Sequence, residues 1–221
     1  MNLLGGFFDN ESAFGRVMTM LGTLVVCNLM FVVCTIPVIT IGSGWSALCY
    51  TFLRLSYREG AVKPVSEFIE GFRRNFKKAT IYWLLILFIF LFLALDWYWC
   101  TQLGGFFLKI RFGLALIAIC VFIIAIYIFP VLTVFPGKLS ELIQYCIYFA
   151  FHKPVKLIVL SAVTIVPFVL TYSFLDYYPL AAFLWFFAGF AVIAKVSAKL
   201  LLSEFKPFLD RGKEELKEQT G

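Results

Sequence analysis

Five stretches of the chain carry no Asp, Glu, Lys, Arg or His: Val17 to Leu53, Ala79 to Leu95, Phe112 to Gly137, Leu157 to Leu175 and Tyr177 to Ala194. A helix rising about 1.5 Å per residue needs roughly 20 apolar residues to cross a hydrocarbon core about 30 Å thick, more than a buried core helix ordinarily supplies. The runs therefore predict membrane spans near 17–37, 79–100, 112–132, 155–175 and 178–200. Hydrophobic residues make up 62% of the chain and charged residues 14%, against about 25% charged in a soluble domain. Too little polar surface remains to coat a soluble globule, and no connector is long enough to fold by itself. The expected fold is all-α: one polytopic transmembrane helix bundle of about five spans over residues 1–221. The first run exceeds a signal-peptide core, so it is expected to stay in the protein.

The 19 Lys and Arg give the sidedness. Residues 54–78 hold seven, 136–156 hold three and 195–221 hold six; residues 1–16, 101–111 and 175–179 together hold three. Alternation across five spans collects sixteen on one side, and short cytoplasmic connectors are the ones enriched in Lys and Arg. The N-terminus is thus expected outside and the C-terminus, with a tail over 203–221, inside. The formal charge of +6 is matched to anionic headgroups rather than to nucleic acid, because no nucleic-acid-binding motif accompanies it.

Within the first run, Pro37, Gly42 and Gly44 predict a helix break over Pro37 to Gly44, with a second helix from about Trp45 to Tyr57. That helix reads as an interfacial element or a short sixth span. Irregular backbone at membrane depth must be packed in protein or line a wet cavity, so Pro37, Thr40, Gly42, Gly44 and Ser46 form a candidate site. Gly42 with Ser46 has the small-residue spacing of a helix-packing seam; a solute site is the alternative.

Two connectors, 65–78 and 138–151, read as amphipathic helices on the cytoplasmic face. The first sets Phe68, Phe72 and Phe76 against Arg73, Arg74, Lys77 and Lys78, a pattern suited to lying among headgroups or to docking a partner. Ser66-Glu67-Phe68-Ile69 parallels Ser140-Glu141-Leu142-Ile143, and the spans that follow end in Leu95-Asp96-Trp97-Tyr98 and Leu175-Asp176-Tyr177-Tyr178. These are candidates for a degenerate internal repeat. Asp96 and Asp176 sit beside aromatic residues that mark the outer interface.

Catalytic signatures are not found: there is no phosphate loop, no H-E-x-x-H and no G-x-S-x-G. His152 has no neighbouring ligand to make a metal site, and the six cysteines show no C-x-x-C pair and read as packing residues. Neither cofactor nor metal is expected, and the chain reads as a non-enzyme.

Pro37-Val38-Ile39-Thr40-Ile41-Gly42 after a first span, then Phe72-Arg73-Arg74-Asn75-Phe76-Lys77-Lys78-Ala79-Thr80 leading into a second, resembles the YesL family of bacterial membrane proteins, a family of unknown function. The resemblance implies a bacterial plasma membrane and a link to carbohydrate uptake, with a carbohydrate ABC transporter or a sensor kinase as partner. It supplies no catalytic or ligand-binding residues. An accessory or regulatory component of carbohydrate transport or sensing is the expected role; the alternative is a small independent carrier or channel with its site at the Pro37 to Gly44 break.

Overall fold

The computed structural model describes residues 13–57, 63–105, 107–174 and 181–220, and among them it contains helices and no strands. α1 spans Ala13–Thr35, α2 Ile41–Tyr57, α3 Pro64–Leu103, α4 Phe107–Val134, α5 Leu139–His152 and α6 Pro154–Phe174. A short α7, Ala181–Leu184, passes through a π-helical turn, Trp185–Gly189, into α8, Phe190–Thr220. Among the described residues, five helices are long and apolar enough to cross a membrane: those holding Phe14–Thr35, Pro64–Leu103, Lys109–Val134, Pro154–Phe174 and Trp185–Arg211. Val17, Phe88, Phe92, Leu116, Ile158 and Val169 are exposed on them. So broad an apolar exterior fits hydrocarbon solvent and not water.

α2 is the exception, because it is wrapped by the others and every residue from Gly42 to Leu53 except Trp45 is buried. It packs most extensively against α3 and α8. Being covered by protein frees it from the length requirement of a lipid-facing span.

The three basic connectors meet at one end of the bundle. Tyr57 donates a hydrogen bond to Asp210 at 2.6 Å, Lys78 Nζ donates to the Gly137 carbonyl at 2.9 Å, and Lys156 pairs with Glu204 at 3.2 Å. Phe135, Phe149, Phe205 and Phe208 interlock beside them, with ring centroids 5.1 to 6.0 Å apart. At the opposite end of α3, Arg111 lies over the Trp97 ring at 4.2 Å. Charge asymmetry along the sequence is therefore charge asymmetry across the fold.

Three expectations are corrected. The helix after the break begins at Ile41, not near Trp45, and both Gly42 and Gly44 are helical; close packing on either side outweighs the weak helix propensity of glycine. The 65–78 helix does not lie in a headgroup plane. It is continuous with the following span in α3, whose 40 residues make about 60 Å of helix; Glu67, Phe68, Gly71 and Asn75 on it are buried, while Val65, Ile69 and Phe76 are exposed. The 203–221 tail is no separate segment either, since α8 runs unbroken from Phe190 to Thr220.

The two parallel connectors also part company here. α5 ends at His152 and α6 restarts at Pro154, with Lys153 extended at φ −138° and ψ 78°. A residue preceding proline is driven out of the helical region, and no proline separates 65–78 from its span. Asp96 lies within α3 and is half-buried; its counterpart Asp176 lies outside the described residues.

Candidate functional site

The break is a short 3-10 turn, Val38–Thr40, entered through an extended Pro37 at φ −80° and ψ 112°. Proline fixes that entry and removes one donor, and the Cys34, Pro37, Val38 and Thr40 carbonyls around it have partners. The Thr40 hydroxyl lies against both the Cys34 and Pro37 oxygens, the Thr40 amide donates to Pro37 O at 2.9 Å, and Ser43 Oγ donates to Thr40 O at 2.9 Å. Trp83 Nε1, from α3, donates to Val38 O at 2.9 Å. Those four carbonyls are thus taken up by the protein itself, as non-helical backbone at membrane depth would require, although Ile36, Val38 and Ile39 are exposed on the surface of the bundle.

From the break, α2 and α3 run antiparallel with matched four-residue steps. A Cβ on Gly42 would lie 2.4 Å from Trp83 Cβ and 2.6 Å from the Ala79 carbonyl oxygen. One turn on, Asn75 Nδ2 donates to Ser46 Oγ at 3.1 Å, both residues buried. Next, the Tyr50 ring occupies the space beside Gly71, where a Cβ would meet it at 2.7 Å, and its hydroxyl donates to Glu70 at 2.6 Å. Arg54 closes the row with a 2.8 Å ion pair to Glu67 and stacks over the Tyr50 ring at 4.5 Å. Gly42, Ser46, Tyr50 and Arg54 lie on one face of α2 because residues four apart are neighbours on a helix. Gly44, on another face, receives α1: a Cβ there would touch Phe31 at 3.1 Å and Cys34 at 3.3 Å.

This arrangement separates the residues singled out in the connector. Phe68 is buried within the bundle, Phe72 is half-buried, and Phe76 is exposed beside it with ring centroids 5.3 Å apart. Phe68 consequently holds α3 to its own bundle and offers nothing to a partner. Arg73, Arg74, Lys77 and Lys78 are exposed; Arg74 lies over the Tyr50 ring of α2 at 5.8 Å and Lys78 reaches the Gly137 carbonyl.

Asn28 is the main residue that sequence reasoning passed over. Fully buried on α1, its Nδ2 donates to the carbonyls of Trp185 and Phe186 at 2.9 and 2.7 Å, and its Oδ1 accepts from the Ala191 amide at 2.9 Å. The π turn shifts its backbone pairing from i+4 to i+5, and the Asn28 amide serves groups in and just after that turn. Its one legible signal is that Asn28 is the sole side-chain amide in the first uncharged run.

A cavity of about 250 Å³ opens beside the break, walled by residues that include Phe31, Gly42, Trp45, Trp83, Phe129 and Phe168. No ionisable side chain lines it apart from the thiol of Cys49. Its chemistry is that of an apolar pocket without the convergent polar groups that orient a hydrophilic ligand.

Residues 24–97 match the model of a family described as "Protein of unknown function, DUF624", to which the YesL family belongs. The matched stretch contains the break, all of α2, the α2–α3 row and most of α3. No curated protein and no solved structure matches the chain.

Proposed function

We propose that this chain is a non-enzymatic, multi-pass protein of a bacterial plasma membrane that acts as an accessory or regulatory component of a carbohydrate transporter or sensor. One observation carries the preference over an independent carrier: the Thr40 and Ser43 hydroxyls and the Val38 carbonyl at the helix break are bonded within the bundle, beside a cavity whose walls are mostly hydrocarbon and aromatic. A sugar site must supply hydrogen bonds to many hydroxyls, and leaving such groups unpaired costs about 1 to 3 kcal/mol each. Carriers place polar groups at mid-membrane for that reason. The carbohydrate link itself is drawn from the family resemblance.

The contact surface in this reading is the basic end. There the first fifteen residues of α3, Pro64 to Lys78, extend the span by about 22 Å and carry the exposed Arg73, Arg74, Lys77 and Lys78. Affinity purification from mild detergent should recover a transporter or sensor subunit, and changing those four residues to Gln should reduce that recovery severalfold at unchanged protein level. Sugar uptake by the purified protein alone in liposomes would overturn the accessory role in favour of the carrier.

The orientation follows from the collected charge: N-terminus outside, basic end in the cytoplasm. Reporter fusions after residues 60, 105, 146, 177 and 221 should read inside, outside, inside, outside, inside. Cytoplasmic signals at both 60 and 105 are incompatible with α3 as a single span.

A further inference from the structure

We propose that the cavity beside the helix break holds the acyl chain of a phospholipid from the surrounding bilayer. This goes beyond the accessory reading and does not depend on which partner is bound. The cavity lies between α4, which contributes Phe122 and Ala125, and α6, which contributes Thr164 and Phe168. Those two helices touch sparingly, and the mouth is marked by Phe168, 48% exposed, with Ile165 and Val169 exposed beside it. Its floor is closed: Cys49 and Leu160 are each 2% exposed and Phe129 5%.

Three physical arguments select the occupant. An apolar cavity of about 150 Å³ stays dry and takes up small hydrocarbons, and this one, at about 250 Å³, is larger. Leaving it empty forfeits dispersion contacts along every wall. Two polar groups of the lining are already engaged, since Thr164 Oγ1 donates to Leu160 O at 2.9 Å and Trp83 Nε1 to Val38 O at 2.9 Å; Ser197 adds one hydroxyl to a lining that is otherwise mostly hydrocarbon and aromatic. No charged side chain lines the space to receive a headgroup. A chain of a bilayer phospholipid can enter sideways with its headgroup still at the interface, so nothing polar need be desolvated.

The full-length protein in phosphatidylglycerol vesicles containing a phospholipid with a diazirine near the end of one acyl chain provides the test. Irradiation should label Phe129, Cys49 and Leu160, which bulk lipid does not reach, as well as the exposed Leu116 and Ile158. Filling the cavity by Ala125→Phe should abolish label at the three buried residues and leave Leu116 and Ile158 labelled. Label confined to exposed residues in the unaltered protein overturns the proposal, and that comparison stands even if Ala125→Phe fails to fold. Buried-site labelling by a free diazirine fatty acid, with none by the phospholipid, overturns the assignment to a bilayer phospholipid.

Discussion

Gly42→Leu is expected to collapse the protein level in membranes and to lower the melting temperature of whatever survives in detergent by many degrees. The added Cβ alone would sit 2.4 Å from Trp83 Cβ and 2.6 Å from the Ala79 carbonyl oxygen, and neither atom is the free end of a flexible side chain. Overpacking a well-filled core costs about 1 to 3 kcal/mol and sometimes more; backbone against backbone belongs at the upper end. Separating α2 from α3 at this point would also strain the Asn75–Ser46 bond and withdraw Trp83 from Val38 O. Gly44→Leu should be milder, because its neighbours are the Phe31 ring and Cys34 Cβ at 3.1 and 3.3 Å, and a ring can turn. Gly22→Leu is the control, with nothing within 4 Å of its Cβ position. Equal melting temperatures for Gly42→Leu and Gly22→Leu would show that the α2–α3 approach is not tight.

The same row of contacts separates what the sequence made legible from what it did not. Charge-free length was decisive for the spans, because lipid-facing surface must be apolar along a whole crossing and nothing else in a soluble fold imposes that. Pro37 announced a break, since a missing donor and a restricted φ act locally whatever the surroundings. The glycines were ambiguous for the opposite reason. Propensity disfavours Gly42 and Gly44 in a helix, while their role as approach points for Trp83 and Phe31 is tertiary and has no local signature.

Amphipathic pattern failed in a similar way over 65–78. Period 3.6 identifies an apolar face but does not say whether lipid or another helix covers it. Glu67 and Glu70 look like part of a solvated face in the sequence, yet they receive Arg54 and Tyr50 across the α2–α3 contact. Partners such as Arg54 and Glu67, thirteen residues apart, become visible only once α2 and α3 are set side by side. The Thr40 hydroxyl is likewise illegible in sequence: it lies against the Cys34 and Pro37 oxygens, and in Thr40→Val the Pro37 oxygen keeps the Thr40 amide as its donor while the Cys34 oxygen loses the hydroxyl.

Asn28→Leu should be the other strongly destabilising change, although leucine is nearly the same size and far more at home in hydrocarbon. Three bonds are lost at once, to Trp185 O, Phe186 O and the Ala191 amide. Interhelical hydrogen bonds within membranes average about 0.6 kcal/mol and reach about 1.7, so three together are worth about 2 to 5 kcal/mol. The upper part of that range applies, because the π turn has already displaced the normal helical partners and α1 is the element that replaces them. Without the asparagine, Trp185 should also lose its fixed position between the Phe168 ring, stacked at 4.2 Å, and the Thr171 hydroxyl it donates to at 2.8 Å. Thr171→Val removes that bond to Trp185 together with the hydroxyl's own local bond to the Pro167 carbonyl at 2.8 Å, and serves as the scale. Thermal unfolding in detergent, followed by tryptophan fluorescence, should place Asn28→Leu well below Thr171→Val and Thr171→Val slightly below the unaltered protein. An Asn28→Leu protein as stable as Thr171→Val would mean that the π turn satisfies its own backbone and that α1 is held to α8 by apolar packing, such as that of the Phe31 and Phe190 rings 5.0 Å apart.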